Sequence, residues 1–342
     1  MFFLLQLLFA LSVAGSIEAQ QRPSAIPLAH SFYFLSDEEK WFLANERKSV
    51  AQIAFMASDE KGLRKLFHTI NKLSHKMEVL SFPSKQEEKL AKNQNHIALD
   101  LQDVDSNKND LSMYRGVNVV TSDSLIFIIG PAPLTETVTD FWKLILEKKI
   151  PLIVTLVMPD EGAGESCYPY WTEASFSMFP EGWKIEKQRE EVITQQKEQK
   201  IVSRTFCATC PKSGQSHTFC QLHFERWPDN KAPNVRLFCR FLDVVASLHL
   251  RPEDPIFVHC RAGMGRSGTF ALSYILKMRA LQEQEKTGIV DFCELNIPEE
   301  LLWLRLQRKG IIGTLTQFQC VYQTVGSFMM SETANSSIPL AN

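Results

Sequence analysis

The sequence predicts an α/β domain, a twisted mixed β-sheet flanked by helices, on three observations. Leu125-Ile-Phe-Ile-Ile129 and Pro151-Leu-Ile-Val-Thr-Leu-Val157 are short apolar runs rich in β-formers, and a helical segment from Thr137 to Lys149 separates them, giving the order strand, helix, strand. Residues 183 to 224 alternate as antiparallel strands do, with Lys212-Ser-Gly-Gln-Ser216 a turn between Ile201-Val-Ser-Arg-Thr-Phe206 and Thr218-Phe-Cys-Gln-Leu-His223. Finally, the short apolar strand Ile256-Phe-Val258 runs into a glycine-bearing loop and then an apolar helix that begins near Ser267.

The remaining elements follow in order. From Ser36 to about Lys92 the chain reads mostly helical, and Ser36-Asp-Glu-Glu39 is a good helix start because the serine and the glutamate can cap each other. Lys92 to Met113 is polar and broken, with a short strand expected around Ile97-Ala-Leu99. A helix is predicted from about Val235 to Leu248. Another opens at Pro298, where proline and two acids suit a first turn, and runs to Gln307. The last runs from about Leu315 to Met329. No internal repeat or low-complexity tract interrupts the chain.

Residues 1–16 form an uncharged apolar run ending in small residues, and residues 1–19 read as a secretory signal peptide with Ala19 the cleavage position. An uncleaved anchor is the alternative, although the run is short of the ~20 residues of a spanning helix. Residues 20–34 are a linker, 35–330 one catalytic domain and 331–342 a polar tail carrying the sequon Asn335-Ser-Ser337. Export predicts a secreted or extracytoplasmic protein, or one delivered into another cell. Membrane contact is expected only through the N-terminal segment. A hydrophobic content of 44% with 22% charged residues is that of a globular protein, and a net charge of -2 speaks against nucleic acid as a partner. Any anion site must be local. Oligomeric state is not fixed by these features.

The chemistry sits in His259-Cys260-Arg261-Ala262-Gly263-Met264-Gly265-Arg266-Ser267-Gly268-Thr269. Glycines at 263 and 265 let the backbone turn so that successive N–H groups line one side, and the helix that follows adds its positive end. Arg261, Ala262, Gly263, Met264, Gly265 and Arg266 would thus surround a phosphate. The same ring of donors stabilises an anionic sulfur on Cys260. Arg266 has the planar fork to grip two phosphate oxygens, and Ser267 can donate to the sulfur as it leaves. A buried structural cysteine is the plainer alternative, but it does not explain why two glycines, an arginine and a serine share its loop.

The pattern His-Cys-x5-Arg-Ser/Thr resembles that of cysteine-based phosphatases. Asp140-Phe-Trp142, Cys167-Tyr-Pro-Tyr-Trp171, His223-Phe-Glu-Arg-Trp227-Pro228-Asp229 and Leu304-Arg-Leu-Gln-Arg-Lys-Gly-Ile-Ile312 resemble, in order, landmarks of the protein tyrosine phosphatase branch. The resemblance implies phosphotyrosine-containing proteins as substrates, a cysteinyl-phosphate intermediate, and no metal or cofactor. It assigns Asp229 as the acid that protonates the leaving phenolate and then the base for water, and Gln317 as a residue that orders this water. Two departures stand out. Gly313 replaces a family glutamine, and the phosphotyrosine-recognition segment is reduced to Asn95-His-Ile97, leaving Tyr114 or Phe127 as candidate walls for the substrate ring.

Other signals point elsewhere. Cys207, Cys210, His217, Cys220 and His223 have a zinc-like arrangement, but they fall on predicted strands, and a disulfide among the cysteines is the preferred reading in an exported chain. With eight cysteines, a free thiol at Cys260 leaves an odd number to pair. The Lys and Glu run from 184 to 200 reads as a solvated surface. Two functional alternatives remain open: a phosphoinositide or inositol phosphate phosphatase, favoured by Arg261 and disfavoured by Met264, and a weakly active phosphotyrosine-binding module.

Overall fold

Seven strands form the main sheet, in the spatial order Asn118–Ser122, Leu125–Gly130, Ile256–His259, Leu152–Thr155, Gln215–Glu225, Gln199–Cys210 and Lys184–Gln196. The computed structural model describes residues 35–81, 114–161, 164–249, 251–288 and 294–330. The signal and linker readings, the Ile97–Leu99 strand, the Asn95–Ile97 segment and the Asn335 sequon lie outside the described residues. In chain order the strands are β1 (Lys48–Ser49), β2 (Asn118–Ser122), β3 (Leu125–Gly130), β4 (Leu152–Thr155), β5 (Lys184–Gln196), β6 (Gln199–Cys210), β7 (Gln215–Glu225), β8 (Ile256–His259) and β9 (Glu294–Leu295). The helices are α1 (Asp37–Asn45), α2 (Val50–Met56), α3 (Glu60–Ser81), α4 (Val138–Glu147), α5 (Val235–Leu248), α6 (Gly265–Thr287), α7 (Ile297–Gln307) and α8 (Leu315–Gly326).

The sheet is mixed for a reason visible in its strands. β3, β8, β4 and β7 run parallel, with Phe127 and Leu152 both in register with Ile256. Such strands are covered on both faces and therefore read as continuous apolar runs; every residue of β4 and of β8 is buried. β7, β6 and β5 form an antiparallel meander, the alternation read over 183–224. β5 contains most of the Lys and Glu run: its side chains are largely exposed, but they decorate an edge strand, where charge discourages pairing with another chain. β2, which the sequence did not announce, is a half-buried edge strand with only two of its five residues buried.

Local signals place the helices well. Ser36 and Glu39 form the reciprocal capping box at the start of α1. Asn296 caps α7, with Pro298 in its first turn. α6 is buried from Arg266 to Leu276 and is the central helix behind the sheet. α8 ends at Gly326, and a 3-10 turn takes over at Ser327–Met330. Among the described residues no helix is long and apolar enough to cross a membrane.

Two expectations are overturned. Tyr114 and Phe127 are core residues, 2% and 0% exposed; the Tyr114 hydroxyl donates to Pro131 O at 3.0 Å, and Phe127 packs edge-on against Phe270 and Tyr274. Neither ring is at the surface to flank a substrate. Cys207, Cys210 and Cys220 carry free thiols rather than a disulfide. The register explains this, because Cys207 lies opposite Thr218 and Cys220 opposite Thr205, so no two cysteines face each other directly across the strands. Among the described residues no group of three or more His, Cys, Asp or Glu is arranged to hold a metal ion. His217 and His223 instead bring Nε2 within 2.8 and 2.9 Å of the carbonyls of Ile150 and Val157.

Candidate active site

Parallel strands carry their chemistry at their carboxyl ends, where loops leave a common edge. Here β3 delivers Gly130, β4 leads to Glu161, β7 to Trp227-Pro-Asp229, and β8, between β3 and β4, to Cys260. Cys260 itself is 3% exposed.

The shape of the loop after β8 follows from where its carbonyls go. His259 O accepts from Leu156 N at 3.0 Å, Arg261 O from Ala132 N at 3.1 Å, and Met264 O from Gly268 N at 2.9 Å. Arg308 takes the two between: Nε donates to Gly263 O at 2.6 Å and Nη2 to Ala262 O at 3.2 Å. No peptide bond in the described chain is cis. In a planar trans peptide the N–H points away from the carbonyl of the same unit. The amides of Cys260, Ala262, Gly263, Met264 and Gly265 are therefore turned away from these partners, toward the opposite side of the loop, which is the arrangement that binds anions.

The two glycines are needed for different reasons. Gly263 has φ +67, and a Cβ there would sit 2.1 Å from Gly130 O, backbone that cannot yield. Gly265 opens α6, and a Cβ there would lie 2.4 Å from Gln317 Nε2, so the glutamine amide rests directly on the loop. Arg308 also donates through Nη1 to Gly116 O at 3.0 Å and to Asn118 Oδ1. Burial brings its pKa down from 12.5 to about 10, opposed by Cys260, so the guanidinium stays cationic at neutral pH.

Arg266 is fully buried. Its Nη1 donates to Glu161 Oε2 at 2.6 Å and to Trp227 O at 2.9 Å, and its Nη2 lies 3.4 Å from Asp229 Oδ1. Nε and Nη2 have no hydrogen-bond partner, and the same is true of the buried Ser267 Oγ and of both amide atoms of Gln317. Buried polar groups are ordinarily satisfied, so five such atoms in one loop and its lining mark a place made for a polar ligand. A tetrahedral oxyanion with several acceptor oxygens fits the donors among them.

Asp229 is held at the mouth, with its side chain about half exposed. Positive φ at Arg226 and Asn230 turns the chain sharply on both sides of Trp227-Pro-Asp229. Trp227 pins the segment: its ring is buried against Phe238 and Phe224, and its Nε1 donates to Lys231 O at 2.8 Å. Below the loop, His259 Nε2 lies 2.8 Å from Tyr170 OH and 3.2 Å from Thr155 Oγ1, and Gln221 donates to both hydroxyls. Burial, then the Arg266 charge, hold the His259 pKa down at about 3, against the opposing backbone of Cys260, so its imidazole is neutral.

Cys260, Arg266, Ser267, Asp229 and Gln317, singled out in the sequence, thus surround one loop, with Ala262, Gly263, Met264 and Gly265 forming its backbone. Arg261, Ala262 and Met264 are exposed at its rim. Two further residues hold the site together. Glu161 grips Arg266 and also accepts from Met158 N at 2.9 Å through Oε1, and Arg308 shapes the loop. The available signal for Glu161 was its place in a loop at the carboxyl end of a buried parallel strand.

The chain matches the family model described as protein-tyrosine phosphatase over residues 85–327. It is 28% identical over 212 residues to human tyrosine-protein phosphatase non-receptor type 20, covering 59% of this chain and 45% of that protein. It is 29% identical over 210 residues to chicken receptor-type tyrosine-protein phosphatase S, covering 60% and 13%. With tyrosine-protein phosphatase 2 of Dictyostelium discoideum it shares 28% identity over 221 residues, covering 64% and 55%. The chain therefore spans between 13% and 55% of the length of these relatives. With the family model matched over more than half of its residues, this chain belongs to the protein-tyrosine phosphatase family.

Proposed function

We propose that this protein hydrolyses phosphotyrosine in proteins through a cysteinyl-phosphate on Cys260. The observation that carries the reading is Arg266, buried between Glu161 and the Trp227 carbonyl, with donors uncommitted beside the Cys260 loop and with Asp229 3.4 Å away. In the first step the sulfur anion of Cys260 attacks phosphorus, the bond to the tyrosyl oxygen breaks, and the leaving phenolate takes a proton from Asp229. In the second, water attacks, its proton passes to the Asp229 carboxylate, and the S–P bond breaks to return the thiolate. Ser267 stabilises the departing sulfur and Gln317 orders the water. Loop amides and Arg266 bind the phosphoryl oxygens and favour the charge distribution of the transition state.

The test is direct. Cys260→Ser abolishes phosphate release from an aryl phosphate, while Asp229→Ala slows turnover and retains substrate; a fully active Cys260→Ser protein rejects the mechanism. Exposed Arg261 at the rim favours a second reading, a phosphoinositide or inositol phosphate substrate, and Met264 beside it, 40% exposed and apolar, opposes this. Parallel assays with a phosphotyrosyl peptide and inositol phosphates separate the two. Phosphopeptide binding without any turnover assigns the chain as a binding module instead. We also propose export through residues 1–19, which N-terminal sequencing of the mature product checks.

A further inference from the structure

We propose, resting on the reading above, that Gln199 is a positioning residue for Asp229, its amide fastening both ends of the segment that carries this acid. β6 and β7 pair as far as Lys200 opposite Glu225, where Lys200 Nζ also lies 3.0 Å from Glu225 Oε2. There β7 ends, and Arg226 turns out of the sheet with φ +62. Its carbonyl accepts from the side chain of Gln199, the first residue of β6, whose Nε2 donates at 3.1 Å. The oxygen of the same amide accepts from Asn234 N at 2.8 Å.

Both bonds answer a local need. Asn234 caps α5, its Oδ1 accepting from Leu237 N at 3.0 Å. A reciprocal cap would return a polar side chain from the third helical residue to the N–H of the capping residue, and Leu237 has none. Gln199 supplies that acceptor from another element. Residues 227–233 therefore form a loop whose two ends meet at one side chain. Asp229 has little else to place it: Oδ1 accepts from the adjacent Asn230 N at 3.0 Å and lies 3.4 Å from Arg266 Nη2. A shift of about 1 Å in a reacting group costs up to about 10²-fold in rate. Arg226 keeps its exposed pair with Asp160, so loss of the amide displaces the acid only in part. The Cys260 loop does not share this support, since its carbonyls are held by Leu156, Ala132, Gly268 and Arg308.

The experiment measures kcat/KM of the full-length protein on aryl phosphates whose leaving phenols rise in pKa, from para-nitrophenyl to phenyl phosphate, together with inhibition by inorganic phosphate. A displaced acid matters most where the leaving oxygen most needs a proton. Gln199→Ala lowers kcat/KM by about 10-fold on phenyl phosphate and by less than about 2-fold on para-nitrophenyl phosphate, with phosphate inhibition unchanged. Gln199→Glu keeps the acceptor for Asn234 N and loses the donor to Arg226 O, and it falls between. Wild-type rates in both variants, or a loss of equal size across the whole series, overturns the proposal while leaving hydrolysis intact. No release of phenol by the wild-type protein rejects the phosphatase reading, and the role of Gln199 with it.

Discussion

Replacing Arg308 with methionine isolates the idea that outward carbonyls aim inward amides. Methionine keeps most of the apolar stem and removes four hydrogen bonds, to Gly263 O, Ala262 O, Gly116 O and Asn118 Oδ1. Bonds from a charged donor are worth about 1.5–3 kcal/mol each, and water and rearrangement recover part of this, so a net loss of about 4 kcal/mol is expected. For a domain of this size that lowers Tm by about 6 °C. The activity effect is separate. Freed carbonyls at 262 and 263 turn with their peptide units and carry the amides of Gly263 and Met264 off the phosphate. Misdirecting one preorganised donor costs about 10²–10³ in rate, so kcat/KM falls at least that far at a temperature where the variant is folded. Inhibition by inorganic phosphate weakens in parallel, which a merely structural role does not require. Arg308→Lys, keeping the charge without the fork, falls between. The assays are a thermal melt, steady-state aryl phosphate hydrolysis and phosphate inhibition. A folded Arg308→Met protein with wild-type kcat/KM refutes the reasoning.

Three further outcomes are expected. Glu161→Gln removes the partner of a fully buried guanidinium; because Glu161 is itself 19% exposed, the cost lies between the surface and buried limits, about 2 kcal/mol, with kcat/KM down about tenfold, read by urea melts and steady-state kinetics. Gly263→Ala forces a Cβ into Gly130 O and strains φ, costing about 3 kcal/mol and at least about 100-fold in kcat/KM, whereas Gly313→Ala leaves the melting curve within about 0.5 kcal/mol of wild type. Folding also depends on pH: burial holds His259 down at about 3 and His223 well below 6.5, so unfolded chains bind protons that the native state refuses. The stability these neutral rings contribute is complete above pH 6.5 and declines as pH falls toward 3, by up to about 1.4 kcal/mol per pH unit for each; identical urea midpoints at pH 7 and pH 5 contradict this.

What the sequence disclosed depended on how local the physics was. The loop from His259 to Thr269 was legible because its glycines, arginine and serine are close along the chain and each has one chemical reason to be there. Asp229 was a candidate only through the family resemblance and its place ahead of the Cys260 loop, because Trp-Pro-Asp alone reads as a surface turn, whereas α1 and α7 were legible through their capping residues. The roles of Glu161 and Arg308 were not, because they reach their partners only after β3, β4 and β8 align side by side. Tyr114 and Phe127 were misplaced for a related reason. An aromatic near a catalytic motif looks the same in sequence whether its ring faces a pocket or a core, and Phe127 lies on a strand covered on both faces. The cysteines of β6 and β7 invited a disulfide until the register set them diagonally.

The account rests on Cys260 accepting a phosphoryl group. Rapid acid quenching of the enzyme during turnover of a radiolabelled phosphotyrosyl peptide, followed by digestion and peptide mapping, measures this directly. The account predicts label on the fragment containing Cys260, formed before phosphate appears and absent from Cys260→Ser. Steady phosphate release with no label on that fragment, or equal labelling in Cys260→Ser, would contradict it.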